Sequence, residues 1–364
     1  MAGGKAEAKK TVTDTAAVTT VYPKFVAVEQ KEITSVSKSD GIKFRVVSYN
    51  ILAQAYVRSG DKGKFPHSPA ACLKEKTRAQ VTLDVLKNLD ADILCLQELD
   101  NYDNFYKEKV GQYDYSSIYV KRGGTKKDGC GIFYKHNNIH INCKFVIMYY
   151  VYPFVCLISI LELVIEEKIH YNDLAELILD ESTCAKPKEK ALDSDMNGQG
   201  TSSKDHGDPN DPYVRLKRDC VGIMAAFKFK EPYEHYVIVE NSHIYWDPEW
   251  ADVKLAHAKY LLSREHADMP VYQYLISGMA EPSEDLPMPL CSVYACIRVE
   301  PKFTNYTHEF TATIDYILFS PIEGIKPIGY LELPEEDSVS IKGGLPNHYH
   351  PSDHLPIGAE FVVV

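Results

Sequence analysis

The chain has 364 residues, 45% of them hydrophobic, with 40 Lys and Arg against 51 Asp and Glu and a net charge of -11. That content supports a large buried core and excludes a fibrous protein, while the acidic balance excludes coating of duplex DNA through overall charge and leaves room for a local basic groove or a metal-filled acidic cleft. Nine scattered cysteines, odd in number and never spaced as CxxC, read as reduced intracellular thiols rather than a structural zinc site.

In chain order, the first twenty residues carry neither an apolar signal core nor an arginine, so residues 1–40 are expected to be a disordered leader to a single domain over 41–364. From Phe44 onward short strand-like runs rich in β-branched and aromatic residues follow one another: "FRVVSYNI", "DILCLQE", "GCGIFYK", "VGIMAAFKF", "YVIVENSHI", "TIDYILFS" and "IGAEFVVV". Helical spacing occurs twice, at Val81, Val85 and Leu89 and at Val253, Ala256 and Tyr260. Many strands with few helices between them predict an α/β fold in which two packed sheets are flanked by helices. An uncharged run over 145–161, part of an apolar insert over 140–162, is short for a membrane span, contains Pro153, and is expected to be buried. The polar stretch 181–212 is expected to be a disordered surface loop.

Chemistry-bearing residues stand at the ends of these runs. Asn50 ends "RVVSYN" and Glu98 ends "ILCLQE"; Asn241 and His243 lie in "VENSHIYWDP", Asp315 in "ATIDYILFS", and Asp353 and His354 open the last strand. Alone, each has an ordinary explanation, such as a strand-end acid, a satisfied core histidine or a turn cap. Together they form an ordered series of hard oxygen ligands suited to Mg²⁺ or Mn²⁺ beside histidines that can meet a phosphate, a phosphodiester-cleaving set.

The phrases "SYNILAQAY", "CLQELDNYDNFY", "GCGIFYK", "HIYWDP", "FTNYTHEFTATIDYILFS" and "LPNHYHPSDHLPIGAEF" resemble the endonuclease/exonuclease/phosphatase superfamily. Within it they are most similar to the carbon-catabolite-repressor deadenylases of the plant type without leucine-rich repeats, with nocturnin and Angel as relatives. The resemblance implies a two-sheet sandwich, Mg²⁺ held by Glu98 and Asn50, His243 on the scissile phosphate, Asp353 orienting His354, and Asp315 in the same network. It also implies that Phe310 and Pro248 flank a terminal adenine, with Asn241 on the substrate as well. The lysines and arginine of "YVKRGGTKKDG" (Lys121, Arg122, Lys126 and Lys127) are weighed as a phosphate track against an ordinary solvated loop.

On that resemblance the expected activity is 3′-to-5′ shortening of single-stranded RNA, poly(A) in particular, in mRNA turnover in the cytoplasm or nucleus, with an organelle left open. Deadenylation-complex proteins are the expected partners and a membrane is not. The alternatives are a nocturnin-like phosphatase acting on a dinucleotide 2′-phosphate and an inactive member that binds RNA or protein. The family places a strand and a Gly-Asp-Phe-Asn motif where this chain runs "AKYLLSREHADMPVYQYLISG", with Asp268 as the one aspartate in the stretch. One inner strand and the water-orienting carboxylate are therefore expected to be missing and activity to be impaired.

Overall fold

A computed structural model describes residues 22–28, 41–57, 65–135, 140–143, 154–157, 161–184, 208, 210–229, 236–262, 290–321 and 324–363. The strands are β1 (Phe25–Ala27), β2 (Ile42–Asn50), β3 (Ile93–Gln97), β4 (Tyr115–Lys121), β5 (Gly129–Lys135), β6 (His140–Cys143), β7 (Phe154–Leu157), β8 (Leu161–His170), β9 (Val221–Phe229), β10 (Tyr236–His243), β11 (Cys291–Ser292), β12 (Asn305–Tyr306), β13 (Thr311–Ala312), β14 (Leu318–Phe319), β15 (Ile325–Leu331) and β16 (Ile357–Val363). The helices used below are α1 (Gln54–Val57), α2 (Glu75–Leu89), α3 (Lys107–Gly111), α4 (Asn172–Cys184), α5 (Pro212–Leu216) and α6 (Ala251–Leu262).

Seven strands form one sheet in the order β1-β15-β16-β2-β3-β5-β4, and β8, β9 and β10 form a second. The alternation in β2 explains how the layers stack. Phe44 and Val46 face the second sheet, where Phe227, Phe229, Ile223 and Val239 meet them, while Val47 and Tyr49 face Leu83, Leu86 and Leu89 of α2. β3 repeats the division, with Ile93 and Cys95 inward and Leu94 and Leu96 toward α2. On the far side of the second sheet Ile169 and Tyr171 pack with Tyr260 of α6, and Ala175 of α4 with Val253. The result is the expected sandwich of two sheets between helices. Each large side chain removed from water in these layers contributes about 1.5–3 kcal/mol.

Three expectations change. The leader is not wholly outside the fold, because Phe25–Ala27 pair with Leu331–Gly329 at the sheet edge and the Phe25 ring lies 4.7 Å from the Arg45 guanidinium. The polar stretch is shorter than expected, because α4 continues through Cys184 and α5 begins at Pro212. "TIDYILFS" is not one strand, only β14 at its end. Of the apolar insert, β6 and β7 form an antiparallel pair, and most of 145–161 lies outside the described residues, as do Asp268 and the rest of 263–289. Among the described residues β10 pairs only with β9, β11 and β14 form a separate two-stranded piece, and no helix is long and apolar enough to cross a membrane.

Two buried histidines tie this packing to pH. His257 of α6 stacks on Tyr171 with ring centroids 4.4 Å apart, and burial pushes both His257 and His350 down to about 4. Unfolding returns each imidazole to a value near 6.5, so the unfolded chain binds more protons below that pH. The contribution of these two histidines is therefore expected to be constant above pH 7 and to fall between pH 6.5 and 4, by up to about 3 kcal/mol each, whereas that of His354, raised to about 9 by Asp315 against the opposing effect of burial, is lost in the opposite direction as pH rises from 6.5 to 9. Urea midpoints measured at pH 7 and 5 check this, and His257→Phe, which keeps the stacking, should flatten the decline.

Candidate functional site

β2 and β3 run parallel with Asn50 opposite Gln97, so Asn50 and the next residue of the second chain segment, Glu98, emerge side by side at the same sheet end. The backbone turns sharply there: Glu98 and Leu52 hold φ of 52° and 57°, left-handed values that are costly for residues with a Cβ and that concentrate at working sites. Asn50 Oδ1 accepts from the Leu52 amide at 3.0 Å, which fixes its amide so that Nδ2 donates to Glu98 Oε1 at 3.0 Å. The Ala53 amide donates to Glu98 Oε2, also at 3.0 Å.

Burial works against charge on Glu98, but His243, then Asn50, His354 and the Ala53 amide outweigh it and hold the carboxyl below its ordinary range. Each carboxylate oxygen accepts one hydrogen bond here and keeps a second lone pair. An ionised carboxylate of this kind beside an amide suits a divalent hard cation that retains much of its own water, as Mg²⁺ does. Among the described residues no three His, Cys, Asp or Glu side chains are grouped so as to hold a metal ion by themselves, so a cation here would rest on Glu98, Asn50 and its own water.

The second half of the site comes from the C-terminal segment. Residues 353–355 lie extended against 304–306, with the Tyr306 amide donating to Asp353 O at 3.1 Å and the Leu355 amide to Thr304 O at 2.7 Å. The expectation that Asp353 orients His354 changes at the ring nitrogen that the structure shows engaged: Asp353 acts on His354 through its charge, and the hydrogen bond comes from elsewhere in the chain. The carboxylate on His354 Nδ1 is Asp315, at 2.8 Å and 39 residues away in sequence. Thr304 Oγ1 donates to the same Asp315 oxygen at 2.6 Å and accepts from the Ile314 and Asp315 amides, both at 3.0 Å. Burial disfavours charge on His354, but Asp315 outweighs it and raises the imidazole to about 9; for Asp315 burial is likewise outweighed, chiefly by His354, and its carboxyl sits low. The two form an ion pair at neutral pH. Asp353 itself is buried beside them.

His243 closes β10 opposite Val221. Its Nδ1 is buried without a hydrogen-bond partner, and burial, opposed by Glu98, keeps the ring neutral. Asn241 is placed differently: both amide hydrogens donate inside the sandwich, to Leu96 O at 3.0 Å and Gly131 O at 2.9 Å, and Oδ1 accepts from Gln97 Nε2 at 2.7 Å. It clasps the two sheets. Phe310 is 50% exposed in a turn closed by Thr307, not part of the core, and Pro248 is exposed. Arg122 leaves the weighed phosphate track, because it is buried, lies 3.6 Å from Asp128, and donates to Asp219 O.

Sequence reasoning missed the residue that joins the two halves. Arg78 of α2 is buried; its guanidinium donates to Ile51 O and Leu52 O beside Asn50, to Pro351 O beside His354, and to Gln54 Oε1, at 2.6–2.8 Å. A second tie is Ser352, whose Oγ donates to Asn50 O at 2.7 Å and accepts from the His354 amide at 3.1 Å. The signal for Arg78 was present: it falls three residues before Val81, in phase with the apolar stripe of α2, where a lone charge needs an interior partner.

With this geometry in hand, comparison with known proteins places the chain. A profile of the Endonuclease/Exonuclease/phosphatase family matches residues 47–239. The carbon catabolite repressor protein 4 homolog 4 of Arabidopsis thaliana is 49% identical over 355 residues, covering 89% of this chain and 78% of that one. The CCR4-Not complex 3′-5′-exoribonuclease subunit Ccr4 of Phaeosphaeria nodorum is 24% identical over 87% of this chain, which spans 59% of that protein's length. Among solved structures, ANGEL2, described as a 2′,3′-cyclic phosphatase, superposes with a TM-score of 0.65 at 20% identity over 94% of this chain and 98% of its own. The human nocturnin catalytic domain does so with 0.54 at 19%, over 94% and 97%. At those identities the structures speak for the fold alone.

Proposed function

The chain belongs to the endonuclease/exonuclease/phosphatase family, and on that premise we propose that it is a Mg²⁺-dependent 3′-to-5′ exoribonuclease of the poly(A) deadenylase type, acting on mRNA in the cytoplasm or nucleus. The single observation that carries the reading is the convergence of an ionised Glu98, clasped by Asn50, with the His354–Asp315 ion pair at one sheet end. Glu98 and Asn50 would hold the cation, which when bound supplies charge stabilisation at the phosphate and leaving oxygen. With Nδ1 committed to Asp315, His354 presents Nε2 to a phosphate oxygen as a charged donor. His243, neutral and with an orphaned Nδ1, is suited to accept or pass a proton beside it. Phe310 and Pro248, both exposed, would flank the terminal base, and the clasped Asn241 would act by holding β10 in register with β3.

Turnover is expected to be impaired, because the sequence lacks the Gly-Asp-Phe-Asn motif and with it the carboxylate that orients water. That same feature favours a second reading, a family member that binds RNA or a deadenylation partner without cleaving. A gel assay of 5′-labelled RNA ending in twenty adenosines, with Mg²⁺, separates them. A ladder of shortened products is the expected result, and full-length RNA recovered from folded protein in a retarded complex would select the binder.

A further inference from the structure

The chain has two tryptophans, and both sit in one cluster next to His243 that the chemistry above does not use. Because the first residue of β9, Val221, pairs with the last of β10, His243, the segment entering β9 and the segment leaving β10 lie side by side at the site end of the second sheet. There the Arg218 guanidinium lies 4.1 Å from the Trp250 ring and 5.3 Å from the Tyr245 ring, and that of Arg215 lies 4.0 Å from Trp250. Arg215 is neutralised by Asp252, through bonds of 2.6 and 2.9 Å. Arg218 has no carboxylate partner among the described residues, and its Nε is buried without a hydrogen-bond partner. Trp246, three residues beyond His243, leans on Tyr245 with ring centroids 6.1 Å apart and is 72% exposed.

An indole open to water, linked through Tyr245 to a guanidinium that has no carboxylate partner among the described residues, offers two things at once, a flat surface for a base and a positive charge for a phosphate. Single-stranded nucleic acid carries both in alternation, and stacking of this kind is tolerant of base identity. We propose that the nucleotides upstream of the last three run out over Trp246, with a phosphate at Arg218, so that this cluster grips the body of a long RNA while the cleft holds its 3′ end. The inference rests on the exoribonuclease reading and adds the track that makes a long strand a better ligand than a short one. A dinucleotide, held in the cleft alone, would not reach it.

The placement supplies its own readout, since both tryptophans lie in the track. The full chain in Mg²⁺ is titrated with phosphorothioate A3 and A12, which resist cleavage, while tryptophan emission and the anisotropy of 5′-fluorescein-labelled strands are followed. A12 is expected to quench the emission and to bind about tenfold tighter than A3. Trp246→Ala and Arg218→Gln are each expected to remove most of that advantage and leave A3 binding unchanged. Trp246→Tyr should restore it, and Arg218→Gln should lower the salt slope for A12 by about 0.7. If Trp246→Ala, folded by circular dichroism, binds A12 like the parent, or if A3 binding falls equally, the track is wrong and the exoribonuclease reading stands. If the parent binds neither strand, both fall.

Discussion

Glu98→Gln is expected to lower RNA shortening by about 10³-fold or more and, less obviously, to cost about 1–3 kcal/mol of stability. The first effect follows from the proposed role of Glu98, whose ionised oxygens would hold the cation. The second follows from the hydrogen bonds around it. Both donors aimed at Glu98, Asn50 Nδ2 and the Ala53 amide, are fixed, the first because Asn50 Oδ1 is held by the Leu52 amide. A carboxylate accepts from both, whereas an amide must set its own N–H₂ against one of them. Adding Asn50→Asp reverses the polarity of that contact, letting the new amide donate to the new carboxylate while the Leu52 and Ala53 amides keep their acceptors. The double variant should regain most of the lost urea midpoint and none of the activity, because the negative charge then sits on the wrong segment. Recovery of activity with stability would show that charge alone, not its position, serves the reaction.

That contact also marks how far the sequence could be read. β2, β3, β5, β9, β10 and β16 were legible because period-two alternation and β-branched content fall on residues that face two different apolar layers. β8 was not, because it is partly exposed, carries Val164 and Ile165 on the surface, and shifts register between Leu163 and Ile165. β1 is three residues long, too short for any period. "TIDYILFS" misled for a physical reason: the amides of Ile314 and Asp315 donate to Thr304 Oγ1, so the donors that a ladder would use are committed to placing the carboxylate that bonds His354. Of the site, Asn50 and Glu98 were legible as polar residues closing apolar runs, and Asp315 and His354 by their place in the phrases that resemble the family. Which acid bonds His354 Nδ1 was not, because adjacency in sequence suggested Asp353 while the carboxylate that reaches the ring comes from 39 residues away.

Arg78→Met is expected to cost about 3–5 kcal/mol of stability. Arg78 is buried, and its guanidinium bonds three backbone carbonyls, those of Ile51, Leu52 and Pro351, and Gln54 Oε1. An apolar side chain of similar length fills the volume and leaves all four acceptors dry and unpaired. Arg78→Lys keeps the charge but not the planar fork, so it should recover part of the stability and less of the geometry. The functional consequence separates a tie from a mere core residue. The carbonyls that Arg78 binds flank Asn50 on one side and precede His354 on the other, so a Lys variant that remains folded at assay temperature should lose activity more than its stability warrants. The loss should fall on kcat rather than KM, since the two halves of the site would no longer be held at one spacing while Phe310 and Pro248, proposed to flank the base, stay in place. Urea unfolding followed by circular dichroism, set beside the gel assay, measures both. Activity that tracks only the folded fraction would return Arg78 to the core.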